Sequence, residues 1–256
     1  MELYEALQLT DKGMVAFVGG GGKSSLMLKL AVECAQRGKR VLVTTSTKMF
    51  IPQLESCGCL IIEQRIDRLL QEMKRVLTGC NIIAAASTVI EENNKAVGFT
   101  GETLDKIFKT GLFDFILVEA DGARRLPLKA PREGEPVLPS MATHVLAVTG
   151  IDVINCPLTE THVMCCDLVA ELAGQQLGTP VTAETIRSVI CRYAYLTGLM
   201  ASRARFIPVI NKADSTNLYQ DAVKTAQLLL KDHEMVLITA ALSRDPVKEV
   251  IMWSRQ

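Results

Sequence analysis

The stretch "MVAFVGGGGKSSLMLKLAVECA", residues 14–35, decides how this chain is to be read. An apolar run leads into four consecutive glycines, Gly19, Gly20, Gly21 and Gly22, and these are followed at once by Lys23, Ser24, Ser25 and an amphipathic run. A turn that aims several backbone N–H groups into one concavity needs positive φ angles and no Cβ atoms in the way, and glycine meets both conditions. Leu26, Leu30, Ala31 and Cys34 recur at helical spacing, which predicts a helix from about Lys23 to Arg37 with the positive end of its dipole at the glycines. Such a helix start is an anion site. Lys23 is placed to reach terminal phosphates, and the Ser24 hydroxyl is placed to ligate Mg²⁺.

The spacing departs from the common G-x-x-x-x-G-K-[ST] pattern, because Phe17 stands where its first glycine would fall. It is closer to the compact K-G-G-x-G-K-[ST] variant, with Val18 at the position of that variant's extra lysine. A dinucleotide fingerprint fits less well: Ser25 occupies the third glycine position, and a lysine directly after Gly22 suits nucleotide phosphates. A flexible glycine linker is disfavoured by the strand, loop and helix context on either side.

At 256 residues the chain can bury a substantial core, and we expect a single domain over 1–256 with a helical insertion at about 158–204. Charges balance at 28 Lys plus Arg against 28 Asp plus Glu, so no bulk field draws the chain to nucleic acid or to an acidic membrane. The opening "MELYEALQLTDKG" does not read as a signal peptide, and no apolar run reaches membrane-spanning length. Eight scattered cysteines make no disulfide framework, which gives reducing cytoplasm as the expected compartment.

Apolar runs begin at 14, 40, 59, 81, 113, 144, 206 and 235, most of them continuous in the manner of parallel strands buried on both faces. Helical patterns fall around 66–78, 102–109, 216–231 and 246–253. The alternation predicts an α/β fold, a doubly wound and mostly parallel sheet with the architecture of a P-loop NTPase. "STVIEENNKAVGFTGE" reads as a turn or hairpin about Asn93 and Asn94, and 158–204 as helical with no strand.

Ligands in such sheets bind at the carboxyl ends of the strands. There, "VEADG" presents Glu119, Asp121 and Gly122; Glu119-x-x-Gly122 is a glutamate version of the D-x-x-G element, and either carboxylate can hold Mg²⁺ or its water. Lys23, Glu119 and Asp121 are therefore the catalytic candidates, and Ser24, Thr45, Glu119 and Asp121 the metal candidates. Thr45 enters through "VTTSTKMF", whose hydroxyls reach the same edge, although threonine is common in strands for its own sake. Arg124, Arg125, Lys129 and Arg132 are either a solvated basic face or groups that neutralise phosphate charge.

A second motif closes the candidate set. "VINKAD" puts Asn211, Lys212 and Asp214 at a strand end, the N-K-x-D arrangement of guanine-binding proteins. In it the Asp accepts from guanine N1 and N2, the Asn contacts O6 or N7 and braces the loop, and the Lys stem covers the ring. The competing reading is a helix-capping turn before "STNLYQDAVKTAQLLL". "ITAAL" at 238–242 sits where a small-residue loop would lie over the base. His162-x-x-Cys165-Cys166 would put His162 and Cys165 on one helical face and permit soft-metal or selenium handling, but buried small hydrophobes are the simpler account.

The blocks "FVGGGGKSSLM", "VTTSTKMF", "VEADGARRLPLKAPREGEPVLP", "VTGIDVINCPL" and "VINKAD", in this order, resemble the YqeC family, proteins described as accessory factors of selenium-dependent molybdenum hydroxylases. The resemblance implies a P-loop NTPase similar in layout to the metallocentre-maturation GTPases. It also implies GTP or ATP and Mg²⁺ as ligands, and a client hydroxylase or its maturation proteins as partner. It leaves the oligomeric state open, with a homodimer among the options. The family pattern carries a His-Arg pair where this chain has Met164-Cys165. Two other functions stay open beside a GTP-favouring hydrolase: an ATP-dependent small-molecule kinase or ligase, and a nucleotide-sensing module with little turnover.

Overall fold

The computed structural model describes residues 1–253. A short helix α1 (Leu3–Ala6) precedes β1 (Gly13–Gly19), which is buried along its whole length, and the glycine turn then delivers the chain into α2 (Lys23–Gln36). β2 (Val41–Thr45) is followed by a small excursion, β3 (Lys48–Phe50) and α3 (Ile51–Glu55), and then by β4 (Cys59–Ile62), α4 (Ile66–Val76) and β5 (Ile82–Ala86). β6 (Thr88–Ile90) and β7 (Lys95–Val97) form the expected hairpin, which turns through Asn94 at φ +51°. α5 (Gly101–Lys109) returns the chain to β8 (Phe115–Glu119), two-residue β9 (Leu128–Lys129) and β10 (His144–Gly150). The last third comprises β11 (Val163–Met164), α6 (Cys166–Ala173), α7 (Ala183–Met200), β12 (Arg205–Asn211), α8 (Thr216–Leu229), β13 (Met235–Thr239) and β14 (Val247–Met252).

Among the described residues nine strands form the main sheet, in the order β14-β13-β12-β10-β1-β8-β2-β5-β4. Every pairing in it is parallel except β13 with β14. Alternation along β1 decides the layers. Val15 and Phe17 face Leu26, Leu30 and Cys34 of α2, whereas Ala16 and Val18 join the core built by Ile186 and Val189 of α7 and Ala222 and Ala226 of α8. Met14 belongs to a third cluster with Leu69 and Met73 of α4 and Leu104 of α5. Helices thus cover both faces, which is why the strands are continuous apolar runs. β1 separates the β8-β2-β5-β4 wing from the β10-β12-β13 wing, so the glycine loop opens at the topological switch point of the sheet.

Two expectations are corrected. The segment 246–253 is not helical: Val247–Met252 is an antiparallel edge strand. A register shift opposite Ile238 and Thr239 pairs Val247 with Thr239 and Glu249 with Ile238, so Val247 and Val250 both reach the α2 side of the sheet although they are three residues apart. The bulge gives a strand a helical spacing. The segment 158–204 is not helical throughout: the two-residue strand β11 precedes α6 and α7 and pairs in parallel with β9. Among the described residues no helix is long and apolar enough to cross a membrane.

Candidate functional site

Bare backbone is required at the glycine loop. Gly21 has φ +72°, and a Cβ built on it would lie 2.0 Å from the nitrogen of Gly150. A Cβ on Gly22, at φ +111°, would meet the Asn211 side-chain nitrogen at 2.5 Å. The loop is tied down from behind: Gly20 N–H donates to Val148 O and Gly21 N–H to Leu126 O, each at 2.9 Å. The first helical bond of α2 runs from Leu26 N–H to Gly22 O. The N–H groups of Gly22, Lys23, Ser24 and Ser25 take no partner among the described residues, and they cluster at the positive end of the helix.

The strand-end carboxylates have different partners. Ser24 Oγ donates to Glu119 Oε2 at 2.6 Å, and Gln53 Nε2 of α3 lies 3.4 Å from the same hydroxyl. Asp121 is fully buried and saturated: it accepts from Gly19 N–H at 3.1 Å and from Tyr193 OH of α7 at 2.6 Å, and it pairs with Lys23 Nζ and Lys129 Nζ, each at 3.1 Å. Lys129 is itself fully buried and reaches Glu135 Oε2 at 2.5 Å. Lys23 is folded back so that Nζ also donates to Gly19 O at 2.5 Å.

Burial and charge set the protonation of these groups. Burial pushes the Glu119 pKa above the ordinary glutamate value in spite of Lys23 and the Ser24 hydrogen bond. Burial acts on Asp121 in the same sense, but Lys23, Lys129 and the hydrogen bonds from Tyr193 and Gly19 outweigh it and hold Asp121 below the ordinary aspartate value. Burial disfavours the Lys23 ammonium, yet Asp121 and Glu119 keep its pKa above the ordinary lysine value. Burial first, and then the Asp121 charge, push Tyr193 well above its ordinary value and keep the phenol a donor. Thr45 serves the backbone, donating to Glu119 O at 2.8 Å while accepting from Thr47 N–H at 3.0 Å.

The second motif lies across the loop. Asn211 Nδ2 donates to Gly21 O at 2.8 Å, and Asn211 Oδ1 accepts from Thr239 Oγ1 at 2.9 Å and from Ala241 N–H at 3.0 Å. One buried amide therefore ties β12 to the glycine loop and to the "ITAAL" loop. Lys212 has φ +64° and its Nζ pairs with Asp152 Oδ2 at 2.7 Å. The cap of α8 is Ser215, whose Oγ accepts from Leu218 N–H, so the capping role proposed for this turn does not fall to Asp214. The Asp214 side chain is exposed, and so is Leu242 at the tip of the neighbouring loop.

The basic loop divides by function. Lys129 is an internal counter-charge, Arg125 lies 5.6 Å over the Phe50 ring, and Arg132 Nε donates to Cys165 Sγ at 3.1 Å. His162 and Cys165 do not share a helical face, because α6 begins only at Cys166 and β11 lies between them. Among the described residues no cluster of three or more His, Cys, Asp or Glu side chains is arranged to hold a metal ion. Burial raises Cys57 and Cys34 to about 12, which fits small buried hydrophobes. Sequence reading missed Tyr193, Gln53 and Asp152. Tyr193 had no signal in an apolar helical run; Asp152, two residues past the end of β10, was legible in principle from its place at a strand end.

The YqeC family model matches residues 15–167, more than half of the chain, and the chain belongs to that family. Protein YqeC of Escherichia coli is 34% identical over 161 residues, covering 63% of this chain and 60% of the relative. The match thus spans about three-fifths of that protein. Among solved structures, the signal recognition particle 54 kDa protein of Aeropyrum pernix, in complex with GDP, aligns over 94% of this chain and 44% of its own at 14% identity, with TM-score 0.45. FtsY of Mycoplasma mycoides aligns over 95% of this chain and 63% of its own at 15% identity, with TM-score 0.41.

Proposed function

We propose that this member of the YqeC family is a Mg²⁺-dependent nucleoside triphosphatase that favours GTP. The observation that carries the reading is the convergence of four free N–H groups at the start of α2 with Lys23 and the Ser24–Glu119 pair. Free N–H groups on a helix dipole take phosphate oxygens, and Lys23 moves from Gly19 O and Asp121 to neutralise the terminal phosphates. A hydroxyl and a carboxylate at hydrogen-bond distance form a hard-oxygen donor set that suits Mg²⁺, so Ser24 and Glu119 would hold the ion, with Asp121 kept for positioning. When bound, the ion neutralises charge that develops on the phosphates.

The guanine preference rests on Asp214, which is exposed and relieved of capping by Ser215. A carboxylate there accepts from guanine N1 and N2, whereas adenine has no such donors. The biological role follows the resemblance: nucleotide-driven maturation or delivery of a metal or selenium component to a selenium-dependent molybdenum hydroxylase.

Titration calorimetry with GTP and ATP, with and without Mg²⁺, tests the reading. Triphosphate binding should be lost in Lys23→Ala and weakened by EDTA far more than diphosphate binding; unchanged affinity in Lys23→Ala would remove the phosphate-loop assignment. Multiple-turnover hydrolysis, run with and without candidate acidic acceptors, separates the hydrolase from a kinase, a ligase or a non-hydrolysing sensor.

A further inference from the structure

Asp121 carries two lysines. A single buried carboxylate with one buried cation is already compensated, so the second needs a reason. Lys23 and Lys129 approach different oxygens, Oδ1 and Oδ2, at the same 3.1 Å, while Tyr193 OH and Gly19 N–H complete the shell. Their other bonds differ. Lys129 is anchored by Glu135 and lies in β9, pinned by pairing with β11; Lys23 has only the backbone carbonyl of Gly19 besides the carboxylates.

We propose that Lys129 is a positioning residue for nucleotide binding: it is the permanent counter-charge of Asp121, and it frees Lys23 to leave Asp121 for the terminal phosphates. The inference rests on the phosphate-loop reading above. Without Lys129, the departure of Lys23 would strand an ionised carboxylate inside the protein, and the cost of that stranding would be subtracted from phosphate affinity. With Lys129 in place, Asp121 keeps one cation and two hydrogen-bond donors whether Lys23 is parked or engaged. Asp121 then acts as a parking site for Lys23 and Lys129 sets how firmly it holds.

The consequence is a reversal of sign within one charge cycle, which a merely structural role would not produce. In Lys129→Met, Lys23 is the only cation left on Asp121, so triphosphate affinity should fall tenfold or more. In the Asp121→Asn/Lys129→Met double variant nothing holds Lys23, and affinity should recover to well above that of Lys129→Met. Asp121→Asn alone leaves Lys129 paired with Glu135 and should tighten triphosphate binding, which keeps the idea testable where Lys129→Met does not fold. Calorimetry with a non-hydrolysable triphosphate on the full chain reads all three, after thermal melts have checked folding. A double variant no better than Lys129→Met, or weakened binding in Asp121→Asn, overturns the proposal. Lys23→Ala is run alongside. If that variant binds normally the phosphate-loop reading itself fails; if it loses binding while Lys129→Met does not, only the parking role fails.

Discussion

At Glu119 burial and charge act in opposite directions, and the outcome gives a pH signature. Its pKa is raised in the folded state, so the stability it contributes is fully present below the ordinary glutamate value of 4.5 and is lost as pH rises through the raised folded value. Asp121 runs the other way: its contribution is present above the ordinary aspartate value of 3.8 and is lost as pH falls through the depressed folded value. Urea denaturation of the metal-free protein at a series of pH values above 4.5 should show stability declining in wild type and a flatter profile in Glu119→Gln. Equal slopes in the two proteins would mean that Glu119 is not a group whose pKa burial raises. On the proposed reading, base choice also turns on single atoms. Asp214→Asn replaces one acceptor with a donor, so it should weaken GTP and favour xanthosine triphosphate, whose C2 carbonyl accepts. A competition assay with labelled GTP checks this; if ATP displaces the label as well as GTP does in wild type, Asp214 does not read the base.

At the scale of elements, the turn between β12 and α8 separates two roles that sequence alone left entangled. Ser215 caps α8, whereas Asp214 makes no capping bond. Ser215→Ala should therefore cost about 1 kcal/mol in urea denaturation, while Asp214→Ala leaves the midpoint in place. Equal losses would restore Asp214 as a structural residue. The same contrast explains what was legible. The strand–glycine–helix unit could be read because each local preference in it agrees with the fold: a continuous apolar run on β1, bare backbone at the turn and a helical stripe on α2. The segment 247–252 could not, since its bulge shifts the apolar positions out of period two and imitates a helix. β9 and β11 were hidden for another reason. Two residues are too few for periodicity, and their pairing joins positions 35 apart in the chain.

At the scale of the whole molecule, the candidate site is a set of long-range ties that no local pattern encodes. The loop after β1 is held by Leu126 from the segment before β9, by Val148 of β10 and by Asn211 of β12, while Asp121 links it to Tyr193 of α7. The motif residues announced themselves through their types; Tyr193 and Glu135 became visible only once the chain was folded, and Lys129, already singled out by its charge, showed its pairing with Asp121 only then. Asn211 is the member of this set whose removal distinguishes bracing from base reading. Its side chain donates to Gly21 O and accepts from Thr239 and Ala241, with no exposure to solvent beyond 2%. Asn211→Ala leaves a buried carbonyl and a buried N–H without partners, a cost of about 2 kcal/mol in denaturant unfolding. Because it loosens the glycine loop and the "ITAAL" loop together, on the proposed reading it should weaken GTP, ATP and xanthosine triphosphate by similar factors, whereas Asp214→Asn changes their ranking. Calorimetric titration of both variants with the three nucleotides makes the comparison. A ranking changed by Asn211→Ala in the same sense as by Asp214→Asn would make Asn211 a direct reader of the base rather than the brace between the two loops.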